Sequence, residues 1–311
     1  MLEVGLFGKI PSKGDFVRHN VADDAARSFE QWVQESNDSL RGAGGQMPEQ
    51  PIRAIFTPPG SGKTVVALLV PSQDKVGRKF PVVFFALAEA SETPTSFSRL
   101  PVRFARFLDA AAELGRSASH MELDPLKAAL AALPLPGQPE RAHADEVVEK
   151  TLAHPLAAEL HQRLFSDRSG MEFYAYQTFL TACQEAAKND PGKAATVLDC
   201  PIHVDTDLFM WLELTRRVYG FPPAHPQVFW IEDPAPRLLV SLGPAPLNLL
   251  SFLAKPSMEH NRLWPLTTTR EPAIESARTS IAPSLGAVGD GTSLGALMDT
   301  LAQRAASGTA R

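Results

Sequence analysis

Short blocks of apolar residues, separated by prolines and polar turns, run along the chain and predict a series of strands. The segments T-V-V-A-L-L-V and F-P-V-V-F-F-A-L-A are apolar on both faces, which is typical of strands inside a sheet that is covered on both sides. Proline stands just outside the ends of several segments, where a missing N–H costs a strand least. Strands are therefore predicted at 4–10, 52–57, 64–70, 80–88, 196–203, 227–233 and 237–243.

Apolar residues at helical spacing occupy stretches between these strands. In 23–41, Phe29, Trp32 and Val33 recur at that spacing, and Asp205 is the predicted N-cap of a helix over 205–219. Further helices are predicted at 97–114, 123–133, 145–165 with a break at Pro155, 171–188 and 247–255. The interleaving indicates an α/β or α+β layered domain with a mixed sheet and helices on both faces.

The last part of the chain has a different composition. From about Thr267 it is rich in alanine, serine, threonine and glycine, with S-L-G-A-L-M-D-T-L-A-Q-R as a segment that could form a transient helix. Chain termini with this character are commonly disordered. The prediction is one domain over 1–266 and a low-complexity, disordered tail over 267–311.

Composition narrows the functional classes. The 27 prolines among 311 residues exceed the average usage of about 5% and exclude a bundle of long helices. With 30 basic and 35 acidic residues, the chain lacks the positive excess that nucleic-acid binding requires, and no apolar run approaches the ~20 residues of a membrane span. Two cysteines are too few for a disulfide framework or a zinc site. These features favour a cytoplasmic protein without membrane insertion.

The segment P-P-G-S-G-K-T resembles a phosphate-binding loop but departs from its pattern. Position 57, where the first glycine should stand, is Thr57, and the residues after Thr64 are β-branched and apolar rather than helical. A phosphate loop opens a helix, so the segment is predicted to be a hairpin turn with a solvated Lys63. Nucleotide binding by Gly60–Thr64 remains the alternative.

The sequence carries no linear signature of catalytic chemistry. Neither H-E-x-x-H nor G-x-S-x-G occurs. Asp199, Asp205 and Asp207 flank a strand-to-helix junction that could hold a cation, although helix capping by Asp205 explains them more simply. No catalytic, metal or cofactor site is predicted, and an enzyme whose site is assembled only in space remains open.

Two polar loops are rich in residues that fix backbone geometry. The first is G-L-F-G-K-I-P-S-K-G-D-F-V-R-H, residues 5–19, and the second is V-P-S-Q-D-K-V-G-R-K-F-P, residues 70–81. Both leave a strand, so a layered sheet could bring them to one edge, with Asp15 paired to Arg78 or Asp74 to Arg18. Turn residues of this kind support backbone structure, and loops on a rigid scaffold also carry binding residues; both interpretations are compatible.

The first loop resembles the opening signature of the TagF family, type VI secretion-associated proteins, which runs approximately G-x-x-G-K-x-P-x-x-G-D-F-V. The second resembles the family segment P-S-x-D-x-x-G-R-x-x-P, and a weaker likeness lies in V-F-W-I, L-L-V-S-L and L-N-L-L-S-F-L. The resemblance covers about residues 2–255. The candidate partner-binding or motif-loop residues are Gly8, Lys9, Pro11, Gly14, Asp15, Phe16, Arg18, Ser72, Asp74, Gly77, Arg78 and Pro81.

This resemblance implies a three-layer α-β-α sandwich with a mixed central sheet and no enzymatic activity. It also implies a cytoplasmic protein that represses type VI secretion after translation by binding and sequestering the forkhead-associated scaffold protein of that system. Two alternatives from other classes are a nucleotide hydrolase that uses Gly60–Thr64 and a structural accessory subunit of the secretion apparatus.

Overall fold

The computed structural model describes residues 3–90, 93–154, 157–165, 170–188, 196–220, 225–232, 234, 236–256, 258–285 and 291–308; the predicted break at Pro155 lies outside them. The strands are β1 Val4–Gly8, β2 Val17–His19, β3 Ile52–Phe56, β4 Lys63–Val70, β5 Val82–Glu89, β6 Thr196–Cys200, β7 Gln227–Ile231, β8 Arg237–Leu242 and β9 Leu263–Pro265. The helices are α1 Asp24–Gly42, α2 Thr93–Ser96, α3 Leu100–Arg103, α4 Ala105–Ser117, α5 Leu123–Ala131, α6 Gln138–Ala153, α7 Ala157–Phe165, α8 Met171–Lys188, α9 Asp205–Val218, α10 Leu249–Ala254, α11 Glu271–Leu285 and α12 Leu294–Gly308. Short 3₁₀ turns cover Phe97–Arg99 and Ala118–His120.

All nine of these strands form one sheet in the order β2-β1-β5-β4-β3-β7-β8-β6-β9. Neighbours in this order are antiparallel except β6 and β9, which are parallel. The sheet is therefore mixed, and the predicted α/β class is confirmed. The two edge strands, β2 and β9, are only three residues long, and the sequence pattern did not predict either of them.

Helices cover both faces of the sheet, which gives the three layers. On one face α1 and α10 pack against alternate strand residues such as Phe56 and Phe229. The indole of Trp32 in α1 lies 4.7 Å from the ring of Phe229, between centroids, and its Nε1 donates to the carbonyl of Ala245 at 3.0 Å. Asp23 caps α1 by accepting a hydrogen bond from Ala25 N at 2.8 Å, which satisfies a backbone donor that the helix leaves unpaired.

The opposite face carries a larger helical layer that includes α4, α8 and α9. Trp211 of α9 is fully buried, its ring stacks on Phe179 of α8 with 5.9 Å between centroids, and its Nε1 donates to the carbonyl of Pro201 at 2.8 Å. Because a buried indole N–H without an acceptor would be costly, this bond fixes how α9 sits against the end of β6.

The predicted capping of α9 by Asp205 is wrong. Asp207, three residues after Val204, accepts from the backbone N–H of His203 at 2.8 Å and of Val204 at 3.1 Å. Its carboxylate is fully buried and is paired with Arg163 of α7. A carboxylate at the third helical position can reach back to the unpaired N–H groups that precede the helix, whereas the side chain of Asp205 is exposed.

The predicted disordered tail also differs from the structure. Within the described part of 267–311, α11 packs against α8 and α12 packs against α9. Their buried apolar residues are Ile274, Ala277, Ile281, Leu285, Leu294, Leu297, Met298 and Leu301. All of them except Ala277 belong to the core cluster beneath the sheet, so burial of two apolar faces stabilises helices that their composition did not predict.

None of the described helices is long and apolar enough to cross a membrane. Cys183 and Cys200 are both buried free thiols, and burial raises the pKa of each.

Candidate functional site

The two motif loops leave neighbouring strands at the same end of the sheet, and together they form what we term the two-loop surface, residues 8–18 and 71–81. β1 ends at Gly8, which pairs with Val82 at the start of β5. Gly8 has a φ of +124°, and a Cβ added there would lie 2.0 Å from the carbonyl oxygen of Pro81. Only glycine permits this approach. The predicted convergence of the loops is thus confirmed.

Asp74 is the charged group that ties the two loops together. It is 1% exposed. Its Oδ1 accepts from the backbone N–H groups of Val76 at 3.1 Å and Arg78 at 2.9 Å. Its Oδ2 lies 2.6 Å from Arg78 Nε and 2.9 Å from Lys9 Nζ. Burial alone would raise the pKa of this carboxyl, but the bonds from Lys9 and Arg78 outweigh burial and hold the pKa well below its usual range.

Hydrogen bonds to backbone carbonyls add a second set of links between the loops. The N–H of Lys75 donates to the carbonyl of Lys13 at 2.9 Å, and Nη2 of Arg78 donates to the carbonyl of Gly14 at 2.5 Å. The N–H of Lys9 donates to the carbonyl of Pro81 at 3.4 Å. Because the loops bond to each other along their length, each holds the other in one conformation.

Arg18 and Phe16 form the other side of the surface. The Arg18 guanidinium lies 4.8 Å from the centroid of the Phe16 ring, and its Nε donates to Glu30 of α1 at 2.6 Å. Phe16 packs edge-on against Phe80 with 5.2 Å between centroids. A cation over an aromatic face is attracted by the ring quadrupole, so Phe16 holds the Arg18 guanidinium in place. The bond from Arg18 to Glu30 then anchors the first loop on α1.

The two predicted ion pairs, Asp15 with Arg78 and Asp74 with Arg18, are wrong. Arg78 instead closes the turn that Asp74 opens, four residues earlier, and Arg18 turns toward Glu30. Asp15 is exposed on the surface. The loops meet as predicted, but local turn geometry and the position of α1 decide the partners.

The remaining predicted positions serve the backbone. Gly77 has a φ of +85° and its N–H donates to the carbonyl of Asp74 at 2.9 Å, while the carbonyl of Ser72 accepts from Phe80 N at 3.1 Å. Pro11 is half-buried at the turn that follows β1. These contacts position the turn between Asp74 and Arg78.

Val76 is the most prominent residue that sequence reasoning missed. It stands in the Asp74–Arg78 turn, and 71% of its surface is exposed. The flanking Lys75 is exposed and the Arg78 side chain is 59% exposed. The available signal was an apolar residue between lysine and glycine in a polar turn. A fixed apolar projection beside cationic groups can contact an apolar depression with acidic surroundings on another protein.

The predicted hairpin at the G-S-G-K-T segment is confirmed. β3 and β4 are antiparallel neighbours joined by residues 57–62, with Gly60 at a φ of +71°. Thr57 Oγ1 lies 2.8 Å from Thr64 Oγ1, and both are buried. Gln227 of β7 donates to the carbonyl of Thr57 at 2.8 Å and accepts from its N–H at 2.7 Å. These bonds brace the base of a turn, and no helix follows it.

Lys63 is not simply solvated as predicted. Its Nζ lies 3.0 Å from Asp23, the capping residue of α1. Hydrogen bonding to Asp23 raises the pKa of the Lys63 ammonium. Burial alone would raise the pKa of the Asp23 carboxyl, but the bond from Lys63 opposes burial, and on balance that pKa is lowered. The lysine joins the hairpin to α1.

The described residues contain no group of three or more histidine, cysteine or acidic side chains placed to hold a metal ion. Asp207 and Asp199, which the sequence placed at a possible cation site, are instead paired with Arg163 and Arg237.

These observations define a class of structure, a layered α/β scaffold that presents two interlocked loops. Residues 5–133, which contain both loops, match the TagF N-terminal domain, described as type VI secretion system-associated. Both loops therefore lie in a stretch of the chain that is similar to the TagF N-terminal domain.

Among solved structures, the crystal structure of PA0076 from Pseudomonas aeruginosa PAO1 is similar to part of the chain. The sequences are 26% identical over 43% of this chain and 64% of that one, with a TM-score of 0.35. The chain thus spans somewhat less than two thirds of that protein's length. No curated protein matches the chain.

Proposed function

We propose that this protein is a non-enzymatic, cytoplasmic regulator that represses type VI secretion after translation. Its action would be to bind the forkhead-associated scaffold protein of the system and keep it from the assembling apparatus. The proposal combines the TagF assignment of residues 5–133 with the construction of the two-loop surface. Repression by sequestration is stoichiometric, so its extent follows the ratio of the two proteins.

The observation that carries the proposal is the rigidity of an exposed projection. The buried Asp74 carboxylate fixes the turn from both sides, through Lys9 and Arg78, yet Val76 at that turn is exposed. A surface that is ordered before binding loses less conformational entropy on association. Such a network favours a contact surface over a loop that merely links two strands.

The candidate residues accordingly take two roles in this proposal. Lys9 and Asp74 brace the loops, because the Lys9 side chain is only 17% exposed and Asp74 is buried. Asp15, Val76 and Arg78 form the contact, because their side chains reach solvent. Arg18, which is held by Phe16 and Glu30, lies beside them.

The hairpin geometry supports a non-enzymatic role over the nucleotide hydrolase alternative. Phosphate loops place backbone N–H groups of a helix N-terminus around the phosphates, whereas the chain after Gly62 continues as β4. Lys63, which would have to reach a phosphate, is engaged by Asp23.

Capture of the purified scaffold protein by purified variants tests the contact. Val76→Asp places a charge on the apolar tip and should abolish capture with an unchanged melting temperature. Leu247→Asp is the matched control, because Leu247 is also an exposed apolar residue, at 43%, but lies before α10. Asp74→Ala should lose both capture and thermal stability. Wild-type protein that fails to capture the scaffold, or a Val76→Asp variant that captures it fully, would refute the proposed surface.

Secretion assays in the native bacterium separate repression from a structural role. Deletion of the gene should raise or preserve secretion, and excess protein should silence it until the scaffold is also raised. Loss of secretion on deletion would instead identify a structural subunit of the apparatus.

A further inference from the structure

A cleft separate from the two-loop surface lies beside Trp230, and we refer to it as the Trp230 cleft. Its volume is about 580 Å³, within the range of ligand-binding clefts. Its walls come from α4, α6 and the segment that joins β6 to α9. The floor is apolar and includes Val102, Val147, Ile202, Leu208 and Phe209.

The rim of the cleft carries more negative than positive charge. Four carboxylates line it, whereas the guanidinium groups are those of Arg53 and Arg106. Arg53 Nη2 is shared between Asp109 at 2.9 Å and Glu232 at 2.7 Å. Arg106 lies 3.1 Å from the third of these carboxylates, Glu140 of α6.

Asp205 carries the fourth carboxylate of the rim. It is exposed at the start of α9, where Asp207 already caps the helix. Among the residues that the structure describes, none forms a hydrogen bond or ion pair with its side chain. The neighbouring Val204 is 48% exposed, so a charged group and an apolar group stand together at the mouth of the cleft.

The electrostatics at Glu232 agree with an excess of negative charge. Partial burial raises the pKa of its carboxyl, and the charges of Asp205 and Asp109 raise it further despite the attraction of Arg53. A cation entering the cleft would relieve this repulsion, whereas an anion would add to it.

We propose that the Trp230 cleft binds a basic, apolar peptide segment of a partner protein. An aliphatic side chain of the segment occupies the floor near Leu208 and Phe209, and an adjacent lysine or arginine pairs with Asp205 and Glu232. Charge complementarity selects this occupant, because an acidic segment would meet the unpaired carboxylate of Asp205 and add to the repulsion at Glu232.

Fluorescence anisotropy tests this directly. The probe is a fluorescein-labelled octapeptide of alternating leucine and arginine, and the comparison peptide has glutamate in place of arginine. The basic peptide should bind the full-length protein at least about tenfold more tightly than the acidic one, and the difference should shrink as salt screens the rim charges. Equal affinity for both peptides, or tighter binding of the acidic one, would overturn the proposal.

Charge reversal at the rim locates the site. Asp205→Lys should weaken binding of the basic peptide by about tenfold or more. Asp124→Lys is the matched control, because Asp124 is an exposed aspartate in the first turn of α5, away from the cleft. Asp205→Asn serves if the reversal impairs folding, as judged by melting. Equal affinities for the Asp205 and Asp124 variants would exclude the cleft as the binding site.

Discussion

Glu213 offers a quantitative test of the packing of the helical layer. It lies on α9, is 1% exposed, and accepts hydrogen bonds from Arg216 Nη2 at 2.6 Å, Arg217 Nε at 2.8 Å and Ser98 Oγ at 2.7 Å. Through Ser98 it holds the 3₁₀ turn before α3, and its partner Arg217 also pairs with Asp299 of α12. Replacing Glu213 with glutamine removes the charge that joins these elements.

The contribution of the Glu213 charge to the folding free energy follows from the pKa of its carboxyl. Burial would raise this pKa, but the bonds from Arg216, Ser98 and Arg217 lower it from the ordinary value of 4.5 to about 2. At 1.36 kcal/mol per pKa unit, this difference corresponds to about 3 kcal/mol of folding free energy. The stabilisation is complete above pH 4.5 and is lost as the pH falls through 2, so roughly half of it remains at pH 3.

Urea unfolding followed by tryptophan fluorescence measures the effect. Glu213→Gln should lower the free energy of unfolding by about 3 kcal/mol at pH 7 and by about half as much at pH 3. Glu113→Gln is the control, because its exposed pair with Arg116 on α4 should contribute no more than about 1 kcal/mol. A difference between wild type and Glu213→Gln that is the same at both pH values would refute the reasoning.

Three other predictions concern different parts of the fold. Gly8→Ala should sharply lower the melting temperature, since its Cβ would lie 2.0 Å from the carbonyl oxygen of Pro81, whereas Gly62→Ala, with open space around it, should melt like wild type. A fluorescent ATP analogue should not bind to wild type or Lys63→Ala, with or without Mg²⁺; saturable binding lost in the variant would restore the phosphate-loop interpretation. A chain ending after Leu266 should melt earlier and resist trypsin less than the full chain, because it lacks the apolar faces of α11 and α12; unchanged melting would show that these helices add little stability.

The strands were predictable because their signal is local. β4 and β5 are continuous apolar runs bounded by turn residues, and the structure places both inside the sheet. β9 escaped prediction because its three residues become a strand only by pairing with β6. A pairing partner that is more than sixty positions away leaves no periodic pattern in so short a segment.

The C-terminal helices show how composition can mislead. Alanine, serine and threonine dominate the segment, but Leu294, Leu297, Met298 and Leu301 recur at the spacing of one helical face. That spacing was visible, whereas the apolar surface of α9 that receives it was not. Tertiary packing supplies most helical stability in proteins.

The candidate site was predictable at the level of loops and not of side-chain pairs. Glycine and proline positions placed both loops at the ends of strands, and sheet geometry brought them together. The partner of Asp74 depended on the turn that Arg78 closes and on the reach of Lys9. Val76 could be recognised only once that turn was seen to expose it.

The two cysteines have a practical consequence. Both thiols of the sequence are buried, with pKa values raised by burial, and the thiolate is the form that reacts with maleimides and methanethiosulfonates. The native protein therefore reacts little with such labelling reagents. A single cysteine introduced at Val76 or at Asp205 would accept a spin label or fluorophore at that position alone, so occupancy of each surface could be followed separately in the same protein.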